Sequence, residues 1–234
     1  MDQAKRAPAR AALAYVTPGS VLGVGTGSTV AHFIEVLSTS THRPSAAVAT
    51  SCDTETRLRD VGIGIIELEE LDTPLWLYVD GADEVDGGGH AIKGAGGAHA
   101  REKRVARASD ASVCIIDDSK LVDRLGSRAR VPLEVEPQAL AGVQAAVVSL
   151  GGRPRLRAGQ LADSGNLLVD VSDLDLSDPC GMEDRLEAIP GVVACGIFAH
   201  RRVDVILAGR SDGSVATIVL GASGNTATNQ HSVW

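Results

Sequence analysis

The chain has 234 residues, enough for one large domain or two small ones around a substantial core. Hydrophobic residues make up 44% and aromatics only 3%, which excludes a disordered chain and leaves a core of Val, Leu, Ile and Ala. A formal net charge of -8 argues against nucleic acid as a partner, yet a small anion needs only a few local donors.

Lys5, Arg6, Pro8 and Arg10 open the chain with no apolar run behind them, so no secretory signal is expected. Residues 5–15 read as a helix. A short strand at 21–24 runs into a glycine loop and a helix over 29–37. Strand 46–50, helix 55–61 and strands 63–67 and 75–79 follow. A glycine-rich loop over 81–97 leads to a helix at 99–108 and a strand at 112–116. Strands separated by helices predict a doubly wound, mostly parallel, Rossmann-like α/β sheet.

The pattern changes near Arg130. Strand 131–135, helix 137–150, strands 155–157 and 167–171 around the Asp163-Ser164-Gly165-Asn166 turn, helix 179–189 and strand 192–198 give a β-α-β-β-α-β order. That order predicts an inserted, smaller ferredoxin-like α+β domain. Strands 203–208 and 215–220 return to the first domain. The expected division is 1–129 with 202–222, then 130–201, with a loose tail over 223–234. No stretch approaches the ~20 apolar residues of a membrane span. Cys52, Cys114, Cys180 and Cys195 lack metal-ligand spacing and read as reduced cysteines of a cytoplasmic protein.

Gly23-Val24-Gly25-Thr26-Gly27-Ser28-Thr29 lies between a strand and a helix. Its glycines allow close backbone approach, and the helix start offers unpaired amides to a phosphate or sugar. A Walker loop needs a lysine after Gly27, and a dinucleotide fingerprint needs a third Gly or Ala where Ser28 or Val30 stands. A tight turn without a ligand is the competing reading.

Asp80 and Asp83 follow strand 75–79, at the strand end that faces a ligand crevice in a parallel sheet. Lys93 precedes a second glycine-rich loop, Gly94-Ala95-Gly96-Gly97, and Glu102 lies early on the helix after it. A base and a cation beside an anion loop suit proton abstraction from an anionic sugar, with the cation steadying an enediolate.

At these residues the chain resembles the ribose-5-phosphate isomerase A family. The likeness runs in order through residues 23–29, Tyr78-Val79-Asp80-Gly81-Ala82-Asp83-Glu84, Lys93-Gly94, Arg101-Glu102-Lys103, Asp118-Ser119-Lys120, Leu150-Gly151-Gly152-Arg153-Pro154 and Ile189-Pro190-Gly191-Val192. It implies interconversion of D-ribose 5-phosphate and D-ribulose 5-phosphate through a cis-enediolate, in the non-oxidative pentose phosphate pathway. A homodimer is implied, with no organic cofactor and no required metal. By similarity Glu102 is the base, Lys93 the charge stabiliser, and Asp80 and Asp83 assist. Thr26, Gly27, Ser28, Thr29, Gly81, Ala82, Gly94, Ala95, Gly96, Lys120 and Lys5 contact substrate. Ala95 stands where many relatives have glycine, so a negative φ is expected there. A sugar-phosphate-binding regulator and an acyl-CoA transferase are the rivals. The regulator would carry a DNA-binding helix-turn-helix ahead of the loop, and only 22 residues precede Gly23 here.

Overall fold

The computed structural model describes residues 2–220 and the strand at 226–229. The first part runs α1 (Asp2–Ala11), β1 (Val21–Val24), α2 (Ser28–Ser38), β2 (Ala46–Ala49), α3 (Cys52–Asp60), β3 (Gly64–Ile65) and β4 (Leu75–Asp80). Then come β5 (Glu84–Asp86), β6 (Ala91–Ile92), α4 (His99–Arg107), β7 (Ser109–Asp117) and β8 (Leu121–Val122). The second part has β9 (Val131–Val135), α5 (Leu140–Ser149), β10 (Arg153–Leu161), β11 (Leu167–Ser172), α6 (Pro179–Glu187), β12 (Val192–Cys195) and β13 (Ile197–Phe198). The chain closes on β14 (Val205–Gly209), β15 (Val215–Leu220) and β16 (Thr226–Asn229).

The main sheet has the order β16-β15-β14-β7-β4-β1-β2-β3. All pairs from β14 to β3 are parallel, and β15 and β16 are antiparallel. Its central strands are buried on both faces, as continuous apolar runs require. In β7, Val113 and Ile115 join one core and Cys114 and Ile116 the other. Val30, Phe33, Ile34 and Leu37 recur at helical spacing on α2 and fill the first of these cores.

The second sheet has the order β10-β11-β9-β12, the ferredoxin-like arrangement, with α5 and α6 as its two helices. Val143 and Val147 of α5 and Met182 and Leu186 of α6 share its core with Val131, Leu133 and Val169.

Two features depart from the sequence reading. Inside the expected loop over 81–97, β5 and β6 pair and form a small sheet ordered β13-β6-β5-β8. The single strand expected over 192–198 is broken at Gly196. A Cβ there would overlap Lys93 O and the Pro132 ring. The Gly196 amide donates to Pro132 O at 2.7 Å, and its carbonyl accepts from Lys93 N at 2.9 Å. The kink hands the chain from the second sheet to the small one and fixes the backbone of Lys93. The expected tail lies outside the described residues except for β16, which pairs with β15.

Candidate active site

β1, β4 and β7 are adjacent and parallel, so their carboxyl ends open onto one edge. A cavity of about 260 Å³ lies there. Thr26, Gly27, Ser28 and Thr29 line it from the loop after β1, and Asp80, Gly81, Ala82 and Asp83 from the end of β4. Lys93, Gly94, Ala95 and Gly96 follow β6, Glu102 comes from α4, Lys120 from the turn after β7, and Lys5 from α1. Every site residue expected from the sequence thus faces one space. Ile116 and Asp117 also line it and were not expected.

Asp80 is the hub. Its Oδ1 accepts from Thr26 N at 3.0 Å and Gly81 N at 2.7 Å. Its Oδ2 accepts from Tyr78 Oη and from Lys93 Nζ at 2.6 Å. Gly25 makes this possible, because a Cβ at position 25 would overlap the Asp80 carboxylate. Tyr78 sits two residues before Asp80 on the strand, a period-2 signal that could have marked it from the sequence.

Lys93 is 4% exposed. Burial pulls its pKa down, but Asp80, Cys114 and Glu102 together outweigh this and the net shift is upward. Its Nζ also donates to Gly81 O at 2.6 Å and lies 5.5 Å from the Tyr78 ring centre and 5.4 Å from that of Phe198. An ammonium has three donors. The described residues use two of them.

Glu102 is also 4% exposed, and its carboxylate accepts no hydrogen bond from the described residues. Burial, and then the Asp80 charge, push its pKa well above the ordinary carboxylate range, with Lys93 opposing. Asp83 Oδ2 accepts from Ala95 N at 2.9 Å, and burial raises its pKa, partly offset by that amide and by Lys120. Ala95 has no positive φ; among the described non-glycine residues only Asp173 does, at 65°. The left-handed turn falls on Gly94 (φ 110°), against which the buried His99 ring packs. Burial lowers the His99 pKa to about 4, so the ring is neutral there.

One end of the cavity is built by α2. Gly27 is its N-cap, with φ 102° and no side chain bonding the first-turn amides. Those donors remain open at the positive end of the helix. Lys5 Nζ donates to Ser28 Oγ at 2.8 Å, and Ser51 Oγ donates to Thr26 Oγ1 at 3.0 Å. Beside Glu102 on α4 but outside the cavity lining, Lys103 bonds Glu183 and Glu187 of α6, each at 2.7 Å, and Ile197 O at 2.7 Å. Consecutive residues thus carry the candidate base and the bolt that holds its helix.

The sequence profile of the family described as ribose 5-phosphate isomerase A (phosphoriboisomerase A) matches residues 46–213. The chain belongs to the ribose 5-phosphate isomerase A family. The isomerase is 40% identical to the ribose 5-phosphate isomerase A of Neisseria gonorrhoeae, with a TM-score of 0.89 over 93% of this chain and 96% of that one. The enzyme of Methanocaldococcus jannaschii is 34% identical, with a TM-score of 0.85 over 92% and 97%. A D-ribose-5-phosphate isomerase solved in complex with phospho-erythronic acid is 32% identical, with a TM-score of 0.87 over 94% and 99%. These likenesses extend the match upstream of residue 46. Among the described residues no cluster of three or more His, Cys, Asp or Glu is arranged to hold a metal, and no helix is long and apolar enough to cross a membrane.

Proposed function

We propose that the isomerisation of D-ribose 5-phosphate to D-ribulose 5-phosphate proceeds here through a cis-enediolate, with Glu102 as the base that carries the proton from C2 to C1. The observation behind this is a buried carboxylate on the cavity wall with no hydrogen-bond donor to quench it among the described residues. Glu102 takes the C2 proton, the C–H electron pair becomes the C1–C2 double bond, and the aldehyde O1 becomes anionic. The remaining Lys93 donor stabilises that charge in a dry site, where it acts most strongly. A proton passes from O2 to O1, assisted by Asp80 and Asp83, and the Glu102 proton returns to C1. The phosphate sits at the start of α2, against Thr26 to Thr29, Lys5 and Lys120. The raised Glu102 pKa suits a base that must also give its proton back near neutral pH.

We also read residues 1–129 with 202–222 as the catalytic domain and 130–201 as the ferredoxin-like one. The protein would act as a cytoplasmic homodimer in the non-oxidative pentose phosphate pathway. Four free cysteines and the exposed Trp76 and Leu161 support those readings; light scattering tests the dimer.

Glu102→Gln tests the base. Glutamine keeps the shape but cannot accept the proton. The variant should bind a sugar phosphate yet lose at least the roughly 10²-fold in turnover typical of a missing general base. Exchange of the C2 hydrogen with deuterated solvent should fall in parallel. Near-normal exchange would exclude Glu102 and point to Asp80 or Asp83.

A further inference from the structure

Arg157 lies on β10 in the ferredoxin-like sheet, yet its guanidinium reaches the loop after β6. Nη1 donates to Ala95 O at 2.9 Å and Nη2 to Gly94 O at 3.1 Å. Behind it, Asp170 of β11 accepts from Nε at 2.8 Å and from Nη2 on its other oxygen. The side chain is 12% exposed, and both Asp170 oxygens are spent on it.

The consequence follows from peptide geometry. Gly94 C=O and Ala95 N–H belong to one planar trans peptide, so they point in opposite directions. Arg157 holds the oxygen and Asp83 accepts from the nitrogen at 2.9 Å. The loop is flanked by Gly94, Gly96 and Gly97, which leave this peptide plane free to rotate unless something grips it.

We propose that Arg157, oriented by Asp170, is a positioning residue: it locks the Gly94–Ala95 peptide so that the Ala95 amide holds Asp83 toward the cavity. This rests on the reading of Asp83 as part of the proton-transfer machinery. The ferredoxin-like sheet then contributes to catalysis through one side chain that need not touch substrate. Only a planar fork can bridge a carboxylate on one side and two carbonyls on the other.

The test measures kcat, KM and melting temperature for Arg157→Met, Arg157→Lys, Asp83→Asn and the Asp83→Asn/Arg157→Met double variant. Arg157→Met should lower kcat roughly 10- to 10²-fold, the cost of misplacing a catalytic group. Arg157→Lys should regain melting temperature through its charge beside Asp170 but not kcat. On the Asp83→Asn background, Arg157→Met should lower kcat by less than about twofold, since the two act in one chain. An impaired Asp83→Asn enzyme beside an unimpaired Arg157→Met, a full recovery of kcat by lysine, or a loss that multiplies undiminished in the double variant would overturn the clamp alone. A normal Asp83→Asn enzyme would defeat the role of Asp83, and the clamp with it.

Discussion

A buried carboxylate with a raised pKa makes opposite demands on stability and activity. Glu102 binds its proton more tightly in the folded chain than in the unfolded one. Where the native state holds more protons, stability falls as pH rises, here from the unfolded carboxylate pKa up to the raised folded value. Glu102→Gln should therefore melt at a higher temperature than the parent at neutral pH, and the gap should close as pH falls toward 4; calorimetry across that range checks it. Activity runs the other way, because the proposed base must be ionised. The acid limb of kcat/KM should lie above the usual carboxylate range, and a limb near pH 4 would contradict the burial of Glu102. Lys120 poses a simpler question. It lines the cavity and makes no ion pair among the described residues. Lys120→Ala should raise KM by more than it lowers kcat, because a contact remote from the reacting carbons stabilises ground and transition states alike. Steady-state kinetics with an unchanged KM would make it a surface lysine.

At the level of elements, α4 is fixed from outside the cavity lining. Lys103 is nearly buried and shares its charge with Glu183, which also accepts from Ala199 N at 2.7 Å. Removing one partner of a buried pair costs about 3–5 kcal/mol when the other charge is left uncompensated, and here Arg107 lies 3.5 Å from Glu183, so the loss should fall short of that. Lys103→Met should show that loss in urea melts, and Lys103→Met with Glu183→Gln should recover part of it. The long elements here were legible in the sequence. The alternating cores of β7, the apolar stripe of α2 and the glycine loops at strand ends leave local patterns, and every expected site residue came to one cavity because such loops meet at a parallel sheet's edge. β5, β6 and β8 were not legible, because strands of two or three residues are too short to show a period. The break at Gly196 was hidden because its cause, Lys93 and Pro132, is distant in sequence. Arg157 gave no signal for the same reason.

Across the whole molecule, the small sheet and the ferredoxin-like sheet are joined through a buried glutamate. Glu84 of β5 is 1% exposed and accepts from the backbone amides of Gly126, Arg128 and Ala129, the segment that leads into β9. Glu84→Ala would leave those donors without their partner, roughly 1–3 kcal/mol for each one that water does not reach. The parent should unfold in one cooperative calorimetric transition, and Glu84→Ala should lower its midpoint or split it in two. A variant that melts as the parent does would show that the joint carries no load. Gly25 and Asp80 make a different kind of joint, one in mutational order. The Asp80 carboxylate occupies the space a side chain at position 25 would need. Alanine at 25 becomes tolerable only after Asp80 has shrunk, and by then Lys93 has lost its partner. Every path that changes position 25 first passes through a damaged enzyme. The chemistry thus holds in place a residue that lines no part of the cavity, and drift can release it only once the activity is no longer under selection.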